Sequence, residues 1–188
     1  PNRGPFVVGA TDYSPVRGAH VNFRNACAPA MPAAPQESGA LGILGKRTVN
    51  GLISGKARFA DMLDGTSNTI MFAESSGRHQ VYARRVEITP NSPGTPGWAL
   101  NAAYFDYNTA IQVRGFSNDG MVQDGGCCVI NCINGRSAGA QQFYSFHTGG
   151  VNVLRVDGSS QFLKETIAPA LLAAMITRAG GEVFSDDY

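Results

Sequence analysis

Charge is what this chain has least of. Acidic and basic side chains make up 15% of its 188 residues, against about 25% in an average globular domain. The 15 Lys and Arg are balanced by 14 Asp and Glu, leaving a net charge of +1. Such a balance offers no basic footprint, so neither nucleic acid nor an anionic membrane surface is an expected partner. Long apolar runs are missing too. The longest, APALLAAMI at 168–176, is about half the ~20 residues that cross a bilayer, and no membrane span is expected in this chain. The opening PNRGPF has neither a Met nor an apolar leader, which predicts a processed or internal piece of a longer product. There are only three histidines, and no G-x-S-x-G elbow, paired C-x2-C knuckles or D-x-D-x-D-G loop appears. The sequence signatures of a serine hydrolase, a zinc knuckle and an EF-hand are therefore all lacking.

What is present is turn chemistry around an ordinary apolar content. The 43% hydrophobic residues suffice for a packed core, while 23 Gly and 10 Pro predict many turns and long connections. One domain over 1–188 is expected, loop-rich over 1–56 and better organised over 57–188. CAPAMPAAPQESGALG (27–42) reads as an extended surface excursion. Residues 57–63 predict one or two helical turns with Phe59, Met62 and Leu63 inward. Asp64-Gly65 ends them, because Gly readily takes the left-handed conformation, and Thr66, Ser67 and Asn68 suit a tight connection. NTIMFAE (68–74) reads as a buried strand. Over 76–125, strand-like HQVYARRVEI and AIQVRGF flank the proline loop TPNSPGTPGW, whose prolines exclude a central strand. Trp98 reads as a core plug or loop cover, with a stacking platform as the alternative.

The stretch YSFHTGGVNVLRVDGSSQFL (144–163) is the most patterned. Residues 151–156 alternate as a strand rich in β-branched side chains. Asp157-Gly158 is a hairpin signal, and SSQFLK returns as the second strand. TIAPALLAAMITRAGG then predicts a helix, with Pro169 in its first turn and Leu171, Leu172, Met175 and Ile176 as its apolar face. Gly180-Gly181 is the expected stop. The fold class is α+β: antiparallel sheet and hairpins, long Gly/Pro-rich loops and short helices.

Each reactive constellation has a plainer explanation. Ser145, His147 and Asp157 could be assembled as a triad on paper, but Asp157 is explained by its turn. His147, at the entrance to a strand, reads as a loop lock, its ring bonded to nearby backbone or a loop side chain. His20 and His79 stand at no ligand-like spacing from it. Cys127, Cys128 and Cys132 with His147 lack zinc-site spacing, and four cysteines in a low-charge chain favour disulfides and an oxidising compartment. Asp61, Asp64, Asp119, Asp124, Asp157, Asp186 and Asp187 could meet calcium only if separate loops brought them together. No metal or cofactor is expected.

Nine residues, 148–156, separate His147 from Asp157-Gly158. This H-x(9)-D-G spacing, flanked by YSFH-GGVN and DGS-QFL, resembles the prepilin-type H-x(9)-D-G family of planctomycetes and relatives, a domain of unknown function that also carries a solute-binding label. DGTSNTIMFAE (64–74), CVINCIN (128–134) and ITRAGGEVFS (176–185) are similar to further elements of that family. The likeness is strong over 57–75 and 128–185. It marks His147, Gly149, Gly150, Asp157, Gly158, Asp64, Gly65, Asn68 and Glu74 as motif positions with an architectural role. The resemblance implies a pilin-like globular head, the outward-facing part of a pilin or pseudopilin without its N-terminal apolar helix. It also implies a local Cys128–Cys132 bridge, from the C-x3-C element, which leaves Cys27 and Cys127 as the second pair. A vicinal Cys127–Cys128 bond is disfavoured by disulfide geometry.

The expected function is that of a non-enzymatic, exported structural protein, extracellular, at the cell surface or periplasmic. It would self-associate or join a larger assembly. The alternative is a periplasmic or surface binding protein for a glycan or small solute, with Trp98, Tyr104 and Tyr107 as stacking residues.

Overall fold

The computed structural model describes residues 9–31, 39–41, 57–78, 80–88, 109–135 and 142–181. The fold is α+β. Strands β1 (Tyr13–Ala19), β2 (Ile70–Glu74), β5 (Ile111–Val113), β6 (Gly150–Arg155) and β7 (Ser160–Lys164) form one sheet in the order β5-β1-β2-β6-β7. A separate two-stranded ribbon pairs β3 (Val81–Ala83) with β4 (Val86–Ile88). Among the described residues, two seven-residue helices, α1 (Val21–Cys27) and α2 (Pro169–Met175), and a short 3-10 turn complete the regular elements.

Alternation along the strands decides which side of the large sheet is buried. Val16, Ala73, Val151, Val153 and Leu163 point to one face, where they meet Phe23 of α1 and Leu172 and Met175 of α2. Side chains one residue out of phase, such as Tyr13 and Phe162, remain 48% and 44% exposed on the other face. A strand's period of two permits no other division.

The C-terminal half follows its sequence pattern closely. Pro169 opens α2 at its first turn, and Leu172, Met175 and Ile176 are buried while Leu171 packs at the margin. The helix ends before the predicted stop, however. Ile176 is its C-cap, and Thr177 Oγ1 donates to Ala174 O at 3.0 Å. The β6–β7 hairpin turns at Asp157-Gly158, but through a three-residue loop. Gly158 N bonds Arg155 O, Arg155 N bonds Ser159 O, and Gly158 has φ +87°. A turn followed by a left-handed glycine is the usual geometry of such loops. It carries Val156 under the hairpin, against Met62 and Ala40.

Three expectations for the first half are corrected. Residues 13–19 and 21–27, expected to be loop-rich, form β1 and α1. Pro15 and Gly18 hid β1 from its sequence. Pro15 is tolerated because β1 pairs with β2 through Tyr13–Pro15 and with β5 only from Val16 onward, so Pro15 is not flanked by two ladders. Gly18 follows a register shift within the β1–β5 pairing, between Val16 and Gly18. α1 is capped by His20, whose Nδ1 accepts from Asn22 N at 3.2 Å. Burial, with the nearby Arg114, draws the His20 pKa below its ordinary value and so favours the neutral acceptor. Second, residues 57–63 contain only the 3-10 turn Phe59–Asp61. One such turn cannot bring three side chains inward: Met62 is buried, but Phe59 and Leu63 are each 76% exposed. Third, HQVYARRVEI is not one strand. It folds back at Arg84-Arg85, both left-handed with φ 50° and 66°.

The glycines of the H-x(9)-D-G hairpin serve two different constraints, and substitution separates them. A Cβ on Gly158 would meet nothing within 4 Å, so Gly158→Ala should lose only the left-handed preference, about 1 kcal/mol. A Cβ on Gly150 would lie 2.0 Å from Leu163 O. Gly150→Ala should therefore lose about 3 kcal/mol or more by pushing β6 from β7. Urea midpoints of the two variants measure the difference; equal losses would contradict this register.

Candidate functional site

The motif residues gather at the two ends of the β2–β6 pair. At one end stands Glu74, the last residue of β2 and only 6% exposed. Its Oε2 accepts from Asn152 N at 3.0 Å and Asn152 Nδ2 at 3.2 Å. Its Oε1 faces His147 Nε2 and Ser76 Oγ, each at 3.4 Å. A buried carboxylate needs such donors, because desolvation without them would cost several kcal/mol. His147 itself is 60% exposed, so its ring meets the carboxylate from the solvent side.

The loop carrying His147 is fixed mainly through other atoms. Ser145 Oγ donates to Gly150 O at 2.6 Å and accepts from His147 N at 3.1 Å. Ser145 N donates to Asn131 Oδ1 at 2.8 Å. Asn131 Nδ2 reaches Gly150 O and Glu165 Oε2, both at 3.3 Å. From outside, Arg85 Nη2 donates to His147 O at 2.9 Å and pairs with Glu165 at 3.4 Å. Tyr144 Oη accepts from Arg85 N at 2.8 Å, and burial raises the Tyr144 pKa. Phe146 packs edge-on against Tyr82 and Tyr144, with centroids 5.0 and 5.7 Å apart. The expected loop lock is thus built from Ser145 and Asn131, while the His147 ring bonds a strand-end carboxylate.

At the other end stands Asp64. Its Oδ1 accepts from Gly181 N at 2.8 Å and its Oδ2 from Gly180 N at 2.7 Å, with Thr177 Oγ1 at 3.4 Å. The Gly pair that was expected to stop α2 instead caps this carboxylate. Gly65 has φ +95°, and Asn68 Nδ2 donates to Asp64 O at 2.9 Å, closing the turn before β2. The hairpin tip docks on that turn: Asp157 N donates to Thr66 O at 3.1 Å and Val156 N to Thr69 O at 3.0 Å. Hydrogen bonds from Ser159 hold the Asp157 carboxyl below its ordinary pKa. The spacings of HTGGVNVLRVDG and DGTSNTIMFAE are therefore matched lengths, two antiparallel segments secured at both ends.

The paper triad does not assemble. Asp157 lies beyond β6 from His147, roughly 20 Å away for a six-residue strand. Asp61, Asp119 and Asp124 are likewise engaged by neighbouring donors. Asp61 Oδ2 accepts from Arg58 N at 2.7 Å, Asp119 Oδ1 from Met121 N at 3.0 Å, and Asp124 Oδ2 from Asn22 Nδ2 at 3.0 Å and Arg114 Nη1 at 2.8 Å. Among the described residues no three His, Cys, Asp or Glu side chains gather as a metal site. Trp98, Tyr104, Tyr107, His79, Asp186 and Asp187 lie outside the described residues.

All four cysteines are bonded, Cys27 to Cys127 and Cys128 to Cys132. These are the pairs implied by the family resemblance. The first ties the end of α1 to a loop 100 residues away. The second encloses Asn131, whose φ of +59° aims its amide at Ser145 and Gly150.

Several residues of the junction carry no advance signal. Arg78 is 2% exposed, its guanidinium donating to Ser75 O at 2.7 Å, Thr109 O at 3.0 Å and Thr11 O at 2.9 Å. Burial draws its pKa down to about 10. Asn134 donates through Nδ2 to Ser76 O and Gln80 O, at 3.1 and 2.9 Å. The usable hint is the two asparagines inside CVINCIN, since a buried amide normally needs several partners.

The features together define a disulfide-linked α+β domain whose motif residues tie loops to a central strand pair. A family model described as SBP_bac_10, "Protein of unknown function (DUF1559)", matches residues 9–170, and the chain belongs to that family. No match to the chain was found among curated proteins or among solved structures.

Substitution should rank these contacts by the donors each one leaves unpaired. Asp64→Ala strips the acceptors from two backbone N–H groups, Gly180 and Gly181, and should lose about 2–3 kcal/mol. His147→Ala removes one 3.4 Å contact made from the solvent side, while Glu74 keeps its Asn152 donors, and should lose about 1 kcal/mol or less. Chemical denaturation of both variants tests the ranking, which a larger loss for His147→Ala would reverse. Replacing Cys27 and Cys127 together by Ser should destabilise by about 4–5 kcal/mol in the chain-entropy model, and the Cys128/Cys132 double variant by less. Non-reducing peptide mapping should first recover both bonds; any other pairing contradicts this assignment.

Proposed function

We propose that this chain is a non-enzymatic, exported structural protein, a pilin- or pseudopilin-like component of a surface fibre or multiprotein assembly. The observation carrying this reading is that the motif residues are engaged in construction. Asp64 and Glu74 accept from neighbouring donors, Asp157 closes a turn, and Gly150 allows close strand contact. Two disulfides agree with a destination outside the reducing cytoplasm. No described helix is long and apolar enough to cross a membrane, so attachment to the envelope would come through other proteins or another segment. For the solute-binding alternative, the aromatic candidates Trp98, Tyr104 and Tyr107 fall outside the described residues.

The test is to locate the native protein in its own cells. Impermeant biotin should label it on intact cells, and mechanical shearing should release it in a high-mass species with all four cysteines oxidised. Recovery from the cytoplasm with free thiols would overturn the proposal. A sheared fraction free of the protein, with a periplasmic form stabilised by sugars, would favour the binding-protein reading.

A further inference from the structure

The two edges of the large sheet are unlike. At one edge all three residues of β5 are buried. The other edge is β7, where Ser160, Phe162 and Lys164 are exposed. The register and the flanking bonds, Glu165 N to Gly149 O and Arg155 N to Ser159 O, place Gln161 and Leu163 in the hydrogen-bonded pairs with β6. In an antiparallel ladder the intervening residues then direct their N–H and C=O groups away from the sheet. The backbone of Phe162 has no partner among the described residues, and Lys164 O accepts only from Ile167 N at 3.0 Å. Beside this edge a groove of about 340 Å³ runs between β7 and the start of α2, lined by Phe162, Leu163, Ile167, Ala168 and Leu171.

We propose that β7 pairs antiparallel with β7 of a second copy about a two-fold axis through Phe162, joining the two sheets into one. The inference rests on the assembly reading above and names the surface and register of its first contact. Self-pairing about Phe162 sets each Phe162 N–H against the C=O of its counterpart and each Lys164 N–H against Ser160 O of the second copy, about four backbone bonds. The charges agree with this register, because Lys164 stands opposite Ser160 and not opposite a second lysine; like charges directly opposed would be unfavourable. The two grooves then meet across the axis, where Ile167 and Leu171 can cover their counterparts. Because β5 is buried, the contact closes as a dimer and does not run on as an open sheet.

Analytical ultracentrifugation of the oxidised chain into the high micromolar range should show a monomer–dimer equilibrium. Relative to Phe162→Ala, which controls for loss of the exposed ring, Phe162→Pro additionally removes an outward N–H, a substitution that edge strands tolerate. It should keep the native far-ultraviolet spectrum and weaken the dimer at least about tenfold. Ser160→Lys should also weaken it, because the introduced ammonium would face Lys164 of the second copy. Adding Lys164→Glu should restore the dimer, since the two introduced side chains then face each other with opposite charge. Wild-type protein that remains monomeric overturns the pairing. A dimer indifferent to Phe162→Pro overturns the β7 edge while leaving assembly through another face intact. Loss with Ser160→Lys that Lys164→Glu does not rescue overturns the register. Cell-surface location is read separately, so failure here is distinct from failure of the exported structural role.

Discussion

The pairing of β2 with β6 is the constraint on which the remainder of the fold depends. β2 links β1 to β6, β6 links β2 to β7, and the core side chains of both strands sit beneath the helices. Short strands pair weakly unless their ends are held, because fraying starts where the ladder stops. Here both ends are tied, one by side chains and the other by backbone bonds to the hairpin tip together with the Asp64 carboxylate. Glu74 joins the end of β2 to Asn152 and His147. Asp64, Thr66 and Thr69 hold the opposite end against the hairpin tip and the chain beyond α2. A shift of register by one residue would separate these partners and turn Val151 and Val153 outward together.

Around this pair, the disulfides and the Arg-Arg ribbon turn act as lateral supports. Cys128–Cys132 closes a small loop around Asn131, whose amide holds Ser145 and Gly150 in place. Arg84 and Arg85 adopt left-handed backbone, each costing roughly 1–2 kcal/mol relative to glycine. The neighbouring structure offsets that strain: Arg84 N bonds Cys132 O, Arg85 N bonds Tyr144 Oη, and Arg85 Nη2 bonds His147 O. The two-stranded ribbon is thereby attached to both the cysteine loop and the histidine loop.

Sequence legibility followed the range of the interactions. The β6–β7 hairpin, the strand at NTIMFAE and the helix opening at Pro169 announced themselves through local rules of period, turn and cap. Residues 13–19 did not, since Pro15 and Gly18 argue against a strand unless its two ladders are known to be staggered. Phe59 and Leu63 misled in the other direction. Their apolar character invited burial, and a three-residue turn had no means to supply it.

By itself the sequence determined the α+β class, the hairpin with its left-handed Gly158, the start of α2 and the positions of the motif residues. These rest on backbone preference and side-chain period, which act within a few residues. Only the tertiary structure decided that Glu74 meets His147, that Asp64 receives the Gly180-Gly181 amides, and that two arginines form a turn. Those outcomes depend on groups far apart in the chain. A carboxylate signals that it needs donors, but packing determines which donors reach it.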